Sequence, residues 1–296
     1  MDEERIGWAL KIRIRDGNLM YLHSGLILAQ GSRACKLLTG GVLLRTIHPV
    51  RVRVIFFDMD GTLVWVPGGS QADWFAQRLE QLGLAIDRER LPQAYQTAQE
   101  RWQREIRPRL GFSTESFVEW NKLILTELGL NGELTQLAAE IQSYWETPTD
   151  ELFPDVPEVL EKLRRRGIEL GIVSHRPLVG IERSLEKHRL KKFFRWLASP
   201  DSTGIAHGKL DRAFWASLLK QAGVSPHEAL HVGDDFETDI RGARRAGLHA
   251  VWIERPQLQD RLFPGRLGVG APQDAPPKER PCARVRDLHE LTELIE

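Results

Sequence analysis

Two aspartates one residue apart, Asp58 and Asp60, follow directly on the apolar run Val52 to Phe57, in the stretch Phe56-Phe57-Asp58-Met59-Asp60-Gly61-Thr62-Leu63. A run of β-branched and aromatic residues reads as a strand buried on both faces, as in a parallel sheet, so the acids sit where that strand ends. Parallel α/β sheets place their chemistry at such ends. Strand alternation puts Asp58 and Asp60 on one side with Met59 pointing away, and Gly61 allows a sharp turn afterwards. Two carboxylates facing one small space repel unless a cation lies between them or one keeps its proton, and either arrangement suits chemistry on a phosphate.

The rest of the chain limits the partners of such a site. With 296 residues and 42% of them hydrophobic, it has material for one large domain or two moderate ones. Its 41 basic and 41 acidic residues cancel, which argues against nucleic acid or an anionic membrane and for a small-molecule substrate. No apolar run approaches the roughly 20 residues of a membrane helix. Cys35 and Cys282 lack CxxC or Cys/His neighbours, which suggests a reducing, cytoplasmic setting, and the chain is expected as a monomer or homodimer.

Residues 1–50 fit the remainder least. The absence of acids from Gly17 to Phe57 suggests a targeting presequence, but Met1-Asp2-Glu3-Glu4 opens with the wrong charge for one. Two readings of this extension stay open: a hairpin through Lys11-Ile12-Arg13-Ile14-Arg15 and Leu19 to Leu22, or a leader without fixed structure.

After Leu63 the pattern turns helical, with amphipathic segments near 70–82, 88–107, 113–128 and 133–146 and with Ser70 and Ser113 as N-caps of the first and third. This stretch has no βα alternation. It predicts a helical cap domain over 67–149, inserted into an α/β core made of 51–66 and 150–296, with Pro67-Gly68-Gly69 and Thr147-Pro148-Thr149-Asp150 as linkers. Trp65, Trp74, Trp102, Trp120 and Trp145 fall in or beside it, most as its own core and one or two open as the lining of a substrate pocket.

From Phe153 the βα rhythm returns. Asp155 and Glu158 predict a capping box, Gly167 closes that helix, and Ile168 to Val173 is a strand ending at Ser174. A helix near 178–188, a strand near 196–198 and a helix near 211–222 follow. Ala229 to Val232 forms a strand that ends at Gly233-Asp234-Asp235, and a helix then leads to the strand His249 to Ile253. Pro256 to Pro281 predicts a long loop, and Asp287 to Ile295 a closing helix. Gly204 to Lys209 is too short for a P-loop and has Leu210 where Ser or Thr is needed, while the histidines lack the spacing of a zinc site.

Four landmarks in this order, the Asp58 octet, Ser174, Gly208-Lys209 and His231-Val232-Gly233-Asp234-Asp235-Phe236-Glu237-Thr238-Asp239, resemble the signatures of the haloacid dehalogenase (HAD) superfamily. The match is to its phosphatase branch with a C1-type helical cap, subfamily IA, similar to phosphoglycolate phosphatases. Two departures stand out: Ser174 is followed by His175-Arg176 where asparagine is usual, and Lys209 by Leu210 where proline is usual. The resemblance implies a Rossmann-like parallel sheet and a Mg²⁺-dependent phosphatase that acts on a small phosphorylated metabolite through an aspartyl-phosphate. Asp58 would be nucleophile and metal ligand, and Asp60 the general acid and then base, its backbone carbonyl also binding the metal. Asp234 would complete the protein's metal ligands, with Asp239 and Asp235 behind them or acting through water. Ser174, Lys209 and Thr62 would hold the phosphate, and Thr62 would also hydrogen-bond near Asp60. A carboxylate attacks at neutral pH without activation, its ordinary pKa being about 3.9.

Three other functions share some or all of these residues. A haloacid dehalogenase attacks with an aspartate but lacks the second acid, so Asp60 weighs against it. A phosphomutase would use every residue named and differ in how its cap excludes water. A regulatory or binding protein that only retains the fold would not need the complete set.

Overall fold

The strand ending at Asp58 lies in the middle of a six-stranded sheet, and its composition explains why. Strand β3 (Val54–Phe57) is wholly buried, with one parallel neighbour on each side. Its alternation serves two separate cores. Ile55 and Phe57 pack with Val159, Leu163 and Leu288 on one face, while Val54 and Phe56 pack with Phe214, Trp215 and Leu218 on the other. A strand that must satisfy both faces cannot carry polar residues until it leaves the sheet.

The computed structural model describes residues 13–15, 18–20, 52–67, 71–147, 149–256, 258 and 275–295. Strands β1 (Arg13–Arg15) and β2 (Asn18–Met20) pair antiparallel, in agreement with the hairpin reading. After β3, the short β4 (Val64–Trp65) leads into α1 (Gln71–Gln81), α2 (Leu91–Arg101), α3 (Arg107–Leu110), α4 (Thr114–Glu127) and α5 (Thr135–Ser143). Next come β5 (Glu151–Leu152), α6 (Val156–Arg165), β6 (Glu169–Val173), α7 (Leu178–Lys187), β7 (Phe194–Ala198), α8 (Pro200–Thr203) and α9 (Arg212–Ala222). The chain then forms β8 (Ala229–Gly233), α10 (Gly242–Arg245), β9 (His249–Ile253), β10 (Ala283–Val285) and α11 (Leu288–Leu294). The large sheet has the order β10-β9-β8-β3-β6-β7, all parallel, which is the Rossmann-like α/β arrangement expected from the sequence.

All five helices from α1 to α5 lie between β4 and β5 and share a core of their own, around Phe75, Leu79, Trp102, Trp120, Ile124 and Ile141. Strands β4 and β5 pair antiparallel, Val64 with Leu152 and Trp65 with Glu151, so the way into the helices and the way out are tied together. Two-residue strands carry no periodicity, and this stem was not foreseen. Ser113 caps α4 by accepting from the Ser116 N–H. Ser70 lies outside the described residues.

Two local readings need correction. Asp155 precedes α6 but makes no capping bond there, because its carboxylate instead accepts from Arg255 and from the Leu288 N–H, each at 2.7 Å. A charged tertiary partner outcompetes a local amide. Part of the loop expected over 256–281 lies outside the described residues, but Pro277–Glu279 is a 3-10 turn and β10 adds a strand just beyond it. The helices also contain two stretches of π geometry, Trp102–Ile106 and Phe236–Arg241. Among the described residues no helix is long and apolar enough to cross a membrane.

Candidate active site

Strand register brings the landmarks to one edge. Phe57 of β3 is level with Ile172 of β6 and Val232 of β8, so Asp58, Ser174 and Asp234 follow within two residues of aligned positions. The Asp58 N–H donates to the Val232 carbonyl at 2.8 Å, which holds the backbone in register as it leaves the sheet. The carbonyl of Met59 then accepts from the N–H groups of Leu63 and Val64, at 2.9 and 3.0 Å, and closes the turn that carries Asp60. Gly61 sits in this turn at φ +76°, and a Cβ there would lie 2.3 Å from Asp234 Oδ2. Only glycine serves both the conformation and the approach to Asp234.

A buried ammonium joins two of the carboxylates. Lys209 Nζ donates to Asp58 Oδ1 at 2.7 Å and to Asp239 Oδ1 at 2.5 Å, although 151 residues separate it from Asp58. Asp239 Oδ1 also meets His231 Nε2 at 2.9 Å, and its Oδ2 accepts from the Asp235 N–H at 2.9 Å. Burial works to raise the Asp239 pKa, but Lys209 and His231 outweigh it and hold the carboxylate well below its ordinary range. Burial also works against a charged Lys209, yet Asp239 and Asp58 prevail and move its pKa upward. Asp58 has less compensation. Burial, opposed by Lys209 but reinforced by Asp239 and Asp60, pushes its pKa up to about 7.

Asp60, with 38% of its side chain exposed, is gripped by Arg176, whose own side chain is only 2% exposed. Nε donates to Asp60 Oδ2 at 3.1 Å and Nη2 to Oδ1, while Nη1 donates to the buried Asp150. Ser174 is buried, and its hydroxyl accepts from the Arg176 N–H at 3.2 Å. Thr62 is wholly buried and its hydroxyl makes no hydrogen bond, so the expected bond near Asp60 is not formed. Arg176 takes the Asp60 carboxylate instead. The Asp235 carboxylate is likewise committed locally, accepting from the Thr238 N–H and hydroxyl at 2.8 and 3.0 Å. Arg176, Asp150 and His231 are given no role by the sequence reading, although His231 opens the fourth landmark. His175-Arg176 was visible only as a departure from the expected asparagine, and Asp150 carried no signal in a linker.

One carboxylate oxygen each from Asp58, Asp234 and Asp239 can be chosen so that all lie within 4.8 Å of one another. Three anionic oxygens at that spacing, with Asp234 partly open to solvent, fit a hard divalent cation such as Mg²⁺. Asp239 was expected behind the metal ligands, and the structure puts it in this group while also pairing it with Lys209 and His231.

A family model described as haloacid dehalogenase-like hydrolase matches residues 52–247, well over half of the chain. The chain therefore belongs to the haloacid dehalogenase-like hydrolase family. It is 33% identical over 140 residues to the glyceraldehyde 3-phosphate phosphatase of Methanopyrus kandleri, covering 47% of this chain and 59% of that protein. To the phosphoglycolate phosphatase of Pseudomonas syringae pv. tomato it is 29% identical over 149 residues, covering 45% and 54%. The chain thus spans little more than half the length of these two relatives. A ribulose-1,5-bisphosphate 5-phosphatase of Halopiger xanaduensis is 27% identical over 248 residues, covering 81% and 98%. The HAD-hydrolase YfnB from Bacillus subtilis, solved with magnesium bound, has a TM-score of 0.63 at 20% identity, covering 82% of this chain and 98% of that one, a likeness in fold alone.

Proposed function

We propose that this chain is a Mg²⁺-dependent phosphatase that hydrolyses a small phosphate monoester through an aspartyl-phosphate on Asp58. The observation that carries this reading is the grouping of Asp58, Lys209, Asp234 and Asp239 at the end of β3, with a second acid, Asp60, two residues on. Asp58, the Asp60 carbonyl and Asp234 would hold the cation, with Asp239 beside them. Bound there, Mg²⁺ would offset the negative charge of the phosphate and keep Asp58 ionised.

The residues divide the chemistry. An oxygen of Asp58 attacks phosphorus as the bond from phosphorus to the leaving oxygen breaks, and Asp60 gives that oxygen its proton. Water then attacks the same phosphorus, Asp60 takes a proton from it, and the bond to Asp58 breaks to release phosphate. Lys209 and Ser174 neutralise and hold the remaining oxygens. Residues 67–149 act as a cap that limits water during the first step and selects the substrate. All three relatives compared above carry names of phosphatases of small phosphorylated metabolites, which supports the same substrate class here. A cytoplasmic setting, as a monomer or homodimer, is part of this reading; Cys282, the one cysteine among the described residues, is free and buried.

The test is release of phosphate from a panel of phosphate monoesters, with Mg²⁺ or with EDTA, by the wild type and by Asp58→Asn. Activity is expected only for the wild type with Mg²⁺. Activity that survives both EDTA and the substitution would overturn the mechanism.

A further inference from the structure

Arg176 lies between two carboxylates of different kinds. Asp60 is substantially exposed, and Asp150 is buried at the exit of the helical segment, immediately before β5. Asp150 is itself held by Ser184 Oγ at 3.0 and 3.1 Å and by His188 Nε2 at 2.9 Å, both from or next to α7, and its carbonyl accepts from Lys187. The Arg176 guanidinium also lies 5.7 Å over the ring of Trp145, just before the same exit. Asp150 alone could neutralise a buried guanidinium. Asp60, being open to water, has no need of a buried partner. The two-point grip on Asp60 therefore has to be explained by what it does to Asp60.

A guanidinium fork fixes both oxygens of a carboxylate in its own plane, while each oxygen keeps a further lone-pair site for proton transfer. We infer that Arg176 is a positioning residue that orients Asp60 for proton transfer and refers that orientation to Asp150 at the exit of the helical segment. The inference rests on the assignment of Asp60 as acid and base. Arg176 is assigned to Asp60 and not to the phosphate, because its buried guanidinium donates to Asp60 and Asp150. A displacement of the exit strand would reach Asp60 through this one side chain.

The experiment compares the full chain with Arg176→Met, Arg176→Lys, Asp150→Asn and the Arg176→Met/Asp150→Asn pair, using p-nitrophenyl phosphate and Mg²⁺. Melting temperature, kcat and KM are measured for each. Arg176→Met is expected to lower kcat by about tenfold to a hundredfold, the scale of a misplaced catalytic group, while KM moves by less than about threefold. Arg176→Lys should recover part of kcat, since an ammonium can still reach one oxygen. Asp150→Asn should lower kcat by a smaller factor, and the pair should be no slower than Arg176→Met alone, as expected of residues acting in series.

An unchanged kcat in folded Arg176→Met overturns the inference. So does a rise in KM with kcat retained, which would make Arg176 a substrate ligand, and so do effects that multiply independently in the pair. Should Arg176→Met fail to fold, Arg176→Lys decides: a lower kcat at unchanged KM upholds the inference, and an unchanged kcat overturns it. A wild type inactive on every phosphate monoester sinks the proposed function and this inference together. An active wild type with an indifferent Arg176 sinks only the inference.

Discussion

Phe112 lies flat against His175, ring centroids 3.8 Å apart and planes 9° from parallel. One ring belongs to the turn before α4, and the other follows Ser174 at the end of β6. The same turn donates the Phe112 N–H to the Ala206 carbonyl at 2.7 Å, and His175 Nε2 accepts from the Lys209 N–H at 3.3 Å. Burial, helped by Lys209, draws the His175 pKa well below its ordinary value, so the stack is between two neutral rings. The helical segment thus touches both loops that carry the expected phosphate ligands. Phe112→Leu removes the stack but keeps most of the volume, and is expected to cost about 1–2 kcal/mol. Thermal melts should show that loss, and steady-state kinetics should show a higher KM with a smaller change in kcat.

Lys209 is the shared cationic partner of two buried carboxylates. Lys209→Met should leave Asp58 and Asp239 without their shared cation and cost about 3–5 kcal/mol in denaturant melts. Its effect on kcat should be at least about a hundredfold, the scale of losing a preorganised group that stabilises developing charge. Adding Asp58→Asn should return part of the stability and none of the activity.

Asp150 gives stability a defined acid limb. Burial would raise its pKa, but Arg176, His188 and Ser184 outweigh burial and lower it below its unfolded value. In the window between the folded and unfolded pKa values, the unfolded chain binds more protons. The stabilisation is therefore complete above the ordinary carboxylate pKa of about 3.9 and is lost as pH falls through the lowered value. Denaturant melts from pH 6 downward should show Asp150→Asn less stable at pH 6, with the gap to wild type closing in acid.

Gly61→Ala is expected to fail for two reasons that add. The residue holds φ +76°, which costs a residue with a Cβ about 1–2 kcal/mol, and the new Cβ would displace the Asp234 carboxylate. The variant should melt lower and lose most of its response to Mg²⁺.

Mg²⁺ itself should raise the melting temperature. A ligand at a hundred times its Kd stabilises by about 2.7 kcal/mol. Asp234→Asn should reduce the shift strongly, because it removes the charge of one of three carboxylates at the candidate cation site. Wild type titrated with Mg²⁺ to saturation without any rise in melting temperature would count against the site.

The α/β class was legible along the chain, and the reason is local periodicity. Runs such as Val54 to Phe57 and Ala229 to Val232 are buried on both faces wherever they occur, and stripes such as Trp74, Phe75 and Leu79 demand a helix. Resemblance to the superfamily's four signatures likewise picked out Asp58, Asp60, Ser174, Lys209 and Asp234, four of them at or just past a strand end and Lys209 just before a helix. Tertiary structure decided which of them meet. Lys209 reaches Asp58 across 151 residues and Arg176 reaches Asp60 across 116, distances over which no local pattern operates. The Asp155 cap failed for the same reason, its carboxylate drawn away by Arg255 from 100 residues on. Strands β4, β5 and β10 are too short to show alternation and exist because neighbours supply their hydrogen bonds. A buried charge goes to the partner that the closed fold delivers, and only closure brings Lys209 to Asp58 and Arg176 to Asp60.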